Sequence, residues 1–264
     1  MAKKKIIGIC RICGKEKQMT EEHYIPRNAG GGIKAILYSG DELMKTLHKD
    51  ENGNTHKPRG KIKQSGLSDY TLCKECNEQS GTNYDKDFGR FYNGVHYLLT
   101  SQLDIPNDST TEEFLADKIV TMTLMDIKPC NIAKRILVSF CSIEHPVLTD
   151  RMPEIRKAIM DKDYAPITDD FAIYLSLHVG NSAFYGTVAA LMNIGGSNFV
   201  QAYAGLENEL LAFYFTGDTD TKKTGLNMCV DITEWLTKYE YDEVANIQVE
   251  LMFNRSKMLR FPIG

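Results

Sequence analysis

The spacing of hydrophobic and polar residues changes character along the chain. After residue 168, short runs rich in β-branched and aromatic residues recur: FAIYLSLHV, AFYGTVAALMNI, NFVQAYAGL, ELLAFYF and IQVELMFN. Runs of this kind predict strands. CVDITEWLTKYEYDEV, which separates the last two, reads as a helix. Ahead of them, helices are expected over about 111–127, 131–143 and 152–162. Asp108, Ser109 and Thr110 offer caps for the first, with Glu112 and Glu113 in its opening turn. Pro153 sits near the start of the third, where proline is tolerated. The expected architecture for this part is α+β, an antiparallel sheet with helices packed against it.

The first third is more broken. Residues 5–12 read as a short strand and GKEKQMTEEH as a turn followed by a strand or loop. The three glycines of NAGGGIK mark a tight or flexible turn. IKAILYSGDELMKTL, residues 33–47, reads as a short helical piece interrupted by Gly40, and the polar, basic stretch 48–66 as a mobile loop. LSDYTLCKEC runs as a strand into a C-x-x-C pair. NEQSGTNYDKDFGRFYNGVHYLL reads as largely helical, with Gly81 and Gly89 weakening it. Polar residues in TSQLDIPNDSTTEE suggest a boundary, dividing the chain into residues 1–92 and 93–264.

Composition narrows the class. With 264 residues, 42% hydrophobic and 25% charged, the chain is of ordinary globular type. No apolar run approaches the roughly 20 residues that span a bilayer. MAKKKIIGIC begins with basic residues, but its apolar part is too short for a signal peptide. A cytoplasmic location without membrane contact is expected. Residues 1–92 hold 17 basic and 12 acidic side chains, and the remainder 14 and 23. The basic first third favours a polyanionic partner, whereas the acidic remainder is a poor main surface for nucleic acid.

Four of the seven cysteines form two C-x-x-C pairs, Cys10/Cys13 and Cys73/Cys76. In a chain without a secretory signal, such pairs read as a structural four-cysteine zinc site, not as disulfides. Cys130, Cys141 and Cys229 stand alone among apolar residues and read as core. Between the pairs lies TEEHYIP, residues 20–26, whose His23 by itself suits three roles: zinc ligand, catalytic base or loop histidine. Four thiolates already fill a tetrahedral zinc, which leaves His23 outside it.

The ordered set CRIC, TEEHYIPRNAGG and LCKECNEQSG resembles the HNH endonuclease family, with its ββα-metal fold. It is also similar to zinc-stabilised phage Holliday-junction resolvases. The resemblance covers roughly residues 8–92. It implies a zinc-stabilised ββα-metal domain over residues 1–92, followed by an α+β domain that serves dimerisation, sensing or target choice. It implies that His23 is the general base, that Glu22 binds a catalytic Mg2+ or Mn2+, and that Asn77 is the second ligand of that ion. One feature departs from the pattern: the asparagine common before the second pair is replaced by the Ser68 and Asp69 stretch.

The chemistry is consistent with those roles. A neutral imidazole accepts a proton from water near pH 7, and oxygen ligands suit Mg2+ or Mn2+ as sulfur suits zinc. Each residue also has a plainer reading. Glu22 reads equally as a solvent carboxylate, with Glu21 its acidic neighbour, and Asn77 as a helix cap. Arg27, Lys57, Arg59, Lys61 and Lys63 are candidates for phosphate contacts, the last four also for a solvated loop. His48 and His56 read as solvated loop residues, His96 as able to approach the site or as packed on a helix face, and His145 and His178 have no partner in the sequence that argues for function; Asp85 and Asp87 read as structural or capping. The expected activity is hydrolysis of phosphodiester bonds in DNA, in a restriction or anti-phage defence setting, with a regulatory protein or a second copy as a further partner. The alternative is a catalytically inactive zinc-stabilised module that binds nucleic acid or protein.

Overall fold

The turn at the first cysteine pair sets the start of the fold. In a computed structural model of the chain, the described residues are 5–37, 39–45, 56, 57, 59–102, 119–144, 148–178, 184–194, 197–208, 211–217, 226 and 229–254. The Cys10 amide donates to the Lys15 carbonyl and the Gly14 amide to the Cys10 carbonyl, which folds residues 10–15 back on themselves. Strand β1 (Ile7–Ile9) thereby lies antiparallel to β2 (Glu16–His23), with Ile7 opposite Gln18. β2 pairs on its other side with β5 (Ser68–Cys73), His23 opposite Ser68, with a bulge between Thr20 and Glu21. Between them, β3 (Ala35–Leu37) and β4 (Lys61–Lys63) form a separate antiparallel pair, with helix α1 (Gly40–Lys45) in the connection.

From Cys73 the chain enters a nearly unbroken helical run: α2 (Lys74–Ser80), a π-helical turn (Gly81–Asp85) and α3 (Lys86–Gln102). Gly81 keeps ordinary helical angles, so the glycine expected to weaken the helix widens one turn instead of ending it. After β6 (Ile119–Ile127) come α4 (Pro129–Ile143), α5 (Leu148–Arg151) and α6 (Pro153–Met160). The remaining strands are β7 (Phe171–His178), β8 (Phe184–Ile194), β9 (Ser197–Asn208), β10 (Leu211–Gly217), β11 (Val230–Asp231) and β12 (Ala245–Asn254), with α7 (Trp235–Lys238) before the last. They build one sheet of order β6-β12-β7-β10-β9-β8, with β11 beside β7. Its neighbours are antiparallel except β12 and β7, which run parallel where Phe253 meets Leu177. Mixed helix and antiparallel sheet is thus the observed class.

Three segments differ from expectation. Residues 119–127 form a strand, not the end of a helix. Met122 and Leu124 point inward between exposed Thr121, Thr123 and Met125, a period of two, and the β-branched residues stiffen it. Residues 229–244 hold β11 and irregular or turning chain, with the helix confined to α7. There the Asp231 carboxylate accepts from the Thr233 amide, and Thr233 Oγ1 in turn accepts from the Ile173 amide, which ties the segment to β7. In 33–47 the β-branched start forms β3 and only the end is helical, while the loop expected over 48–66 closes in β4; residues 46–55 and 58 lie outside the described residues.

Helix α4 lies at the centre. Every side chain from Pro129 through Ser142 is buried, so this helix has no solvent face. One hydrophobic cluster runs from Cys10 and Ile12 through Tyr84, Phe88 and Phe140 to Phe215 and Phe253. Phe88 meets Phe213, and Phe140 meets Phe215, each pair with ring centres 5.6 Å apart. Helix α3 continues past residue 92, and residues on both sides of the expected boundary share this core.

Candidate functional site

Two tight turns bring the four cysteines together. Cys10 and Cys13 flank the first turn, Cys73 ends β5, and Cys76 lies in the first turn of α2. Their sulfurs all lie within 4.8 Å of one another, with Cys13 and Cys73 Sγ 4.0 Å apart. Zinc bonded to sulfur at about 2.3 Å sets tetrahedral sulfurs about 3.8 Å apart, so the cluster fits one zinc ion. The Cys73 amide points at Cys10 Sγ from 3.4 Å. A hydrogen bond from Cys76, aided by backbone amides, holds the Cys10 thiol down to about 4, and the same bond pushes Cys76 up. Side chains from the second half brace the cluster: Arg156 Nε donates to the Ile12 carbonyl at 2.8 Å, and Thr149 Oγ1 to the Arg11 carbonyl at 3.0 Å.

His23 closes β2, and the residue is only 7% exposed. Its Nε2 lies 2.8 Å from the Ser65 carbonyl and 3.3 Å from Arg27 Nε. The Ser65 carbonyl calls for a proton on Nε2, whereas the Arg27 Nε–H calls for a lone pair there; the shorter contact favours the Nε2–H form, with the lone pair on Nδ1. Burial first, then the Arg27 charge, lowers the imidazole pKa below its ordinary value. The same Ser65, through Oγ, donates to Glu21 Oε1 at 2.6 Å, and Ser68 donates to that oxygen at 2.8 Å. These two hydroxyls hold the Glu21 carboxyl below its ordinary value. Ser65 therefore links His23 and Glu21.

Glu22 turns to the other side of the strand, as alternation requires. There Arg135 of α4, itself 1% exposed, donates Nη2 to Glu22 Oε1 at 2.9 Å and to the His23 carbonyl at 2.8 Å. Its Nε donates to Asp85 Oδ1 at 2.6 Å, and Ser139, one helical turn on, donates to the Tyr24 carbonyl at 2.6 Å. Burial pushes the Glu22 carboxyl up to about 7 against the pull of Arg135. Asn77 sits on α2 with its amide nitrogen donating to Thr20 Oγ1 at 3.0 Å and to the Glu21 carbonyl at 3.1 Å. Sequence-predicted His23, Glu22 and Asn77 thus gather along one stretch of β2, but on different sides of it. Glu22 and Asn77 offer hard oxygens of the type that suits Mg2+ or Mn2+. One Glu22 oxygen is already committed to Arg135.

Arg27 lies exposed beside His23. Lys61 and Lys63 lie in β4, where the Lys63 ammonium donates to the Ser68 carbonyl, and Lys57 and Arg59 are exposed ahead of them. His56 pairs with Glu42 at 3.0 Å; His48 and His145 lie outside the described residues. The sequence pattern does not single out Arg135 or Ser65, and Asp85, read as structural or capping, pairs with Arg135. The signal for Arg135 was a basic pair, Lys134 and Arg135, inside the otherwise apolar NIAKRILVSF. The Lys134 ammonium donates to the carbonyls of Asp161, Lys162 and Tyr164, in the segment that follows α6.

Comparison of the chain with protein-family models, with curated proteins and with solved structures returns no match. Among the described residues, no helix is long and apolar enough to cross a membrane.

Proposed function

We propose that the protein is a metal-dependent HNH-type endonuclease that hydrolyses phosphodiester bonds in DNA, within a cellular defence role. The observation that carries this reading is the setting of His23. It ends the strand that pairs with β5 and that Asn77 of α2 bonds at Thr20 and Glu21; its lowered pKa keeps the imidazole neutral at neutral pH, and the shorter of its two Nε2 contacts favours a lone pair on Nδ1. In that state Nδ1 takes the proton of a water molecule attacking phosphorus. Arg27, exposed next to the imidazole, is suited to hold the phosphate. Glu22 and Asn77 are the residues that would hold Mg2+ or Mn2+, which supplies positive charge for the phosphate and the leaving oxygen. The four-cysteine cluster takes no part in the reaction; it fixes the ends of β2, β5 and α2.

A second reading, a zinc-stabilised binding module without catalysis, has one observation in its favour. Glu22 is buried and bonded to Arg135, and His23 is itself only 7% exposed. Metal dependence separates the two. The nuclease reading expects plasmid relaxation in Mg2+ or Mn2+ and none in chelator. Asn77→Ala should raise the metal concentration needed by about 10- to 100-fold. Failure of the wild type to nick DNA in either metal leaves the binding module.

A further inference from the structure

The β3–β4 pair has two unlike faces. Leu37 packs inward against the main core, and the Lys63 ammonium reaches the Ser68 carbonyl. Ile36 and Ile62 stand directly opposite one another on the other face, 53% and 54% exposed, with Ile33 64% exposed nearby. Lys34, Lys57 and Arg59 are exposed at the ends of the two strands, while Lys61, opposite Leu37, falls on the other face. Across residues 31–66 there are seven basic and four acidic side chains. Of the acids, Glu42 is already taken up by Lys45 and His56.

The base of this pair is fastened to the His23 motif. Gly31 lies so close to the Ile25 carbonyl that a Cβ there would sit 1.6 Å from its oxygen. Gly66, at φ +77°, presses on the Gly31 carbonyl in the same way. The Tyr24 amide donates to the Leu67 carbonyl, and Ser65, two residues beyond β4, carries the carbonyl that fixes His23. No side chain fits between these segments, so the hairpin holds a set position beside the imidazole.

We propose that the outward face of β3–β4 is a DNA contact, in which Ile36 and Ile62 press as an apolar wedge on the base steps of a duplex while the surrounding lysines and Arg59 hold phosphates. This rests on the DNA reading of the site and adds how the substrate is chosen. Apolar wedges cost unstacking energy that is least where DNA is already kinked or unpaired. The hairpin therefore selects distorted duplex, and its place beside His23 delivers that distortion to the site of cleavage. A two-fold contact through this face would set its basic side chains against their own copies, so the basic surround favours a polyanion over such a dimer.

The test is fluorescence anisotropy of the full, zinc-loaded chain with short labelled duplexes, fully paired or carrying an unpaired bulge, with divalent ions omitted. The wild type should bind the bulged duplex more tightly. Ile36→Ser with Ile62→Ser, both at exposed positions, should weaken that binding by about tenfold and leave the salt dependence unchanged. Lys57→Gln with Arg59→Gln should lower the salt slope by about one per charge lost and keep the preference. Equal binding of both duplexes, no binding, or an unchanged preference in the isoleucine variant overturns the inference. So does a change confined to self-association in sedimentation. A protein that nicks plasmid without using these isoleucines keeps the nuclease reading and loses this one; isoleucine-dependent binding without nicking does the reverse.

Discussion

A single carbonyl decides the state of the candidate base. With Ser65 accepting from His23 Nε2, the imidazole keeps its lone pair on Nδ1, and its lowered pKa keeps that nitrogen unprotonated at neutral pH. Nicking should rise with pH along a limb below the ordinary histidine value of about 6.5 and be level by pH 7. A limb centred above that value argues for another base. Glu22 titrates in the opposite sense. Its carboxyl is raised to about 7 in the folded chain, against about 4.3 unfolded. Its contribution to stability is therefore complete below the lower value and is lost as pH rises through the upper one. The melting temperature of the wild type should fall relative to Glu22→Gln between those limits, read by circular dichroism; a constant difference contradicts the shift. Of these residues, His23, Glu22 and Asn77 stood out in the sequence because the cysteine pairs framed them. Ser65 and Arg135 did not, since a serine in a polar loop and an arginine far along the chain gain meaning only when the fold brings them to β2.

Helix α4 is the element on which the site leans. It holds the carbonyls of His23 and Tyr24 through Arg135 and Ser139, and it pairs Glu22 and Asp85 with one guanidinium. Arg135→Met leaves two carboxylates without their counter-ion, one of them buried, and should cost about 3–5 kcal/mol in urea unfolding. Adding Glu22→Gln should recover part of that loss, because the two side chains are coupled; strict additivity contradicts the pairing. The length and position of α4 were readable from its apolar run, as were α6, β7, β10 and β12. Segment 119–127 was not. Its alternation carries the strand signal, but the capping residues at 108–113 drew the reading toward a helix. Short β3 and β4 were hidden for a related reason: each is three residues long and leans on the other across the chain, a contact no local pattern records.

At the scale of the molecule, the four-cysteine cluster and the large sheet share one core. The division at residue 92, plausible from the polar stretch that follows, is crossed by α3 and by the cluster around Tyr84, Phe88 and Phe140. Zinc binding should therefore stabilise the whole chain. A zinc-to-protein ratio near one is expected, with calorimetry giving a single transition. Cys73→Ser should lose the metal and lower the temperature of that transition as a unit. A variant that melts in two separate steps contradicts a shared core. The sequence held the motif and the class of structure, while the joining of the two halves came only from long-range packing. The most direct test of the central claim is plasmid nicking by the zinc-loaded wild type and His23→Ala in Mg2+ or Mn2+, at equal metal content. Loss of at least about 100-fold in the variant is expected; equal cutting by both proteins, or none by the wild type, contradicts it.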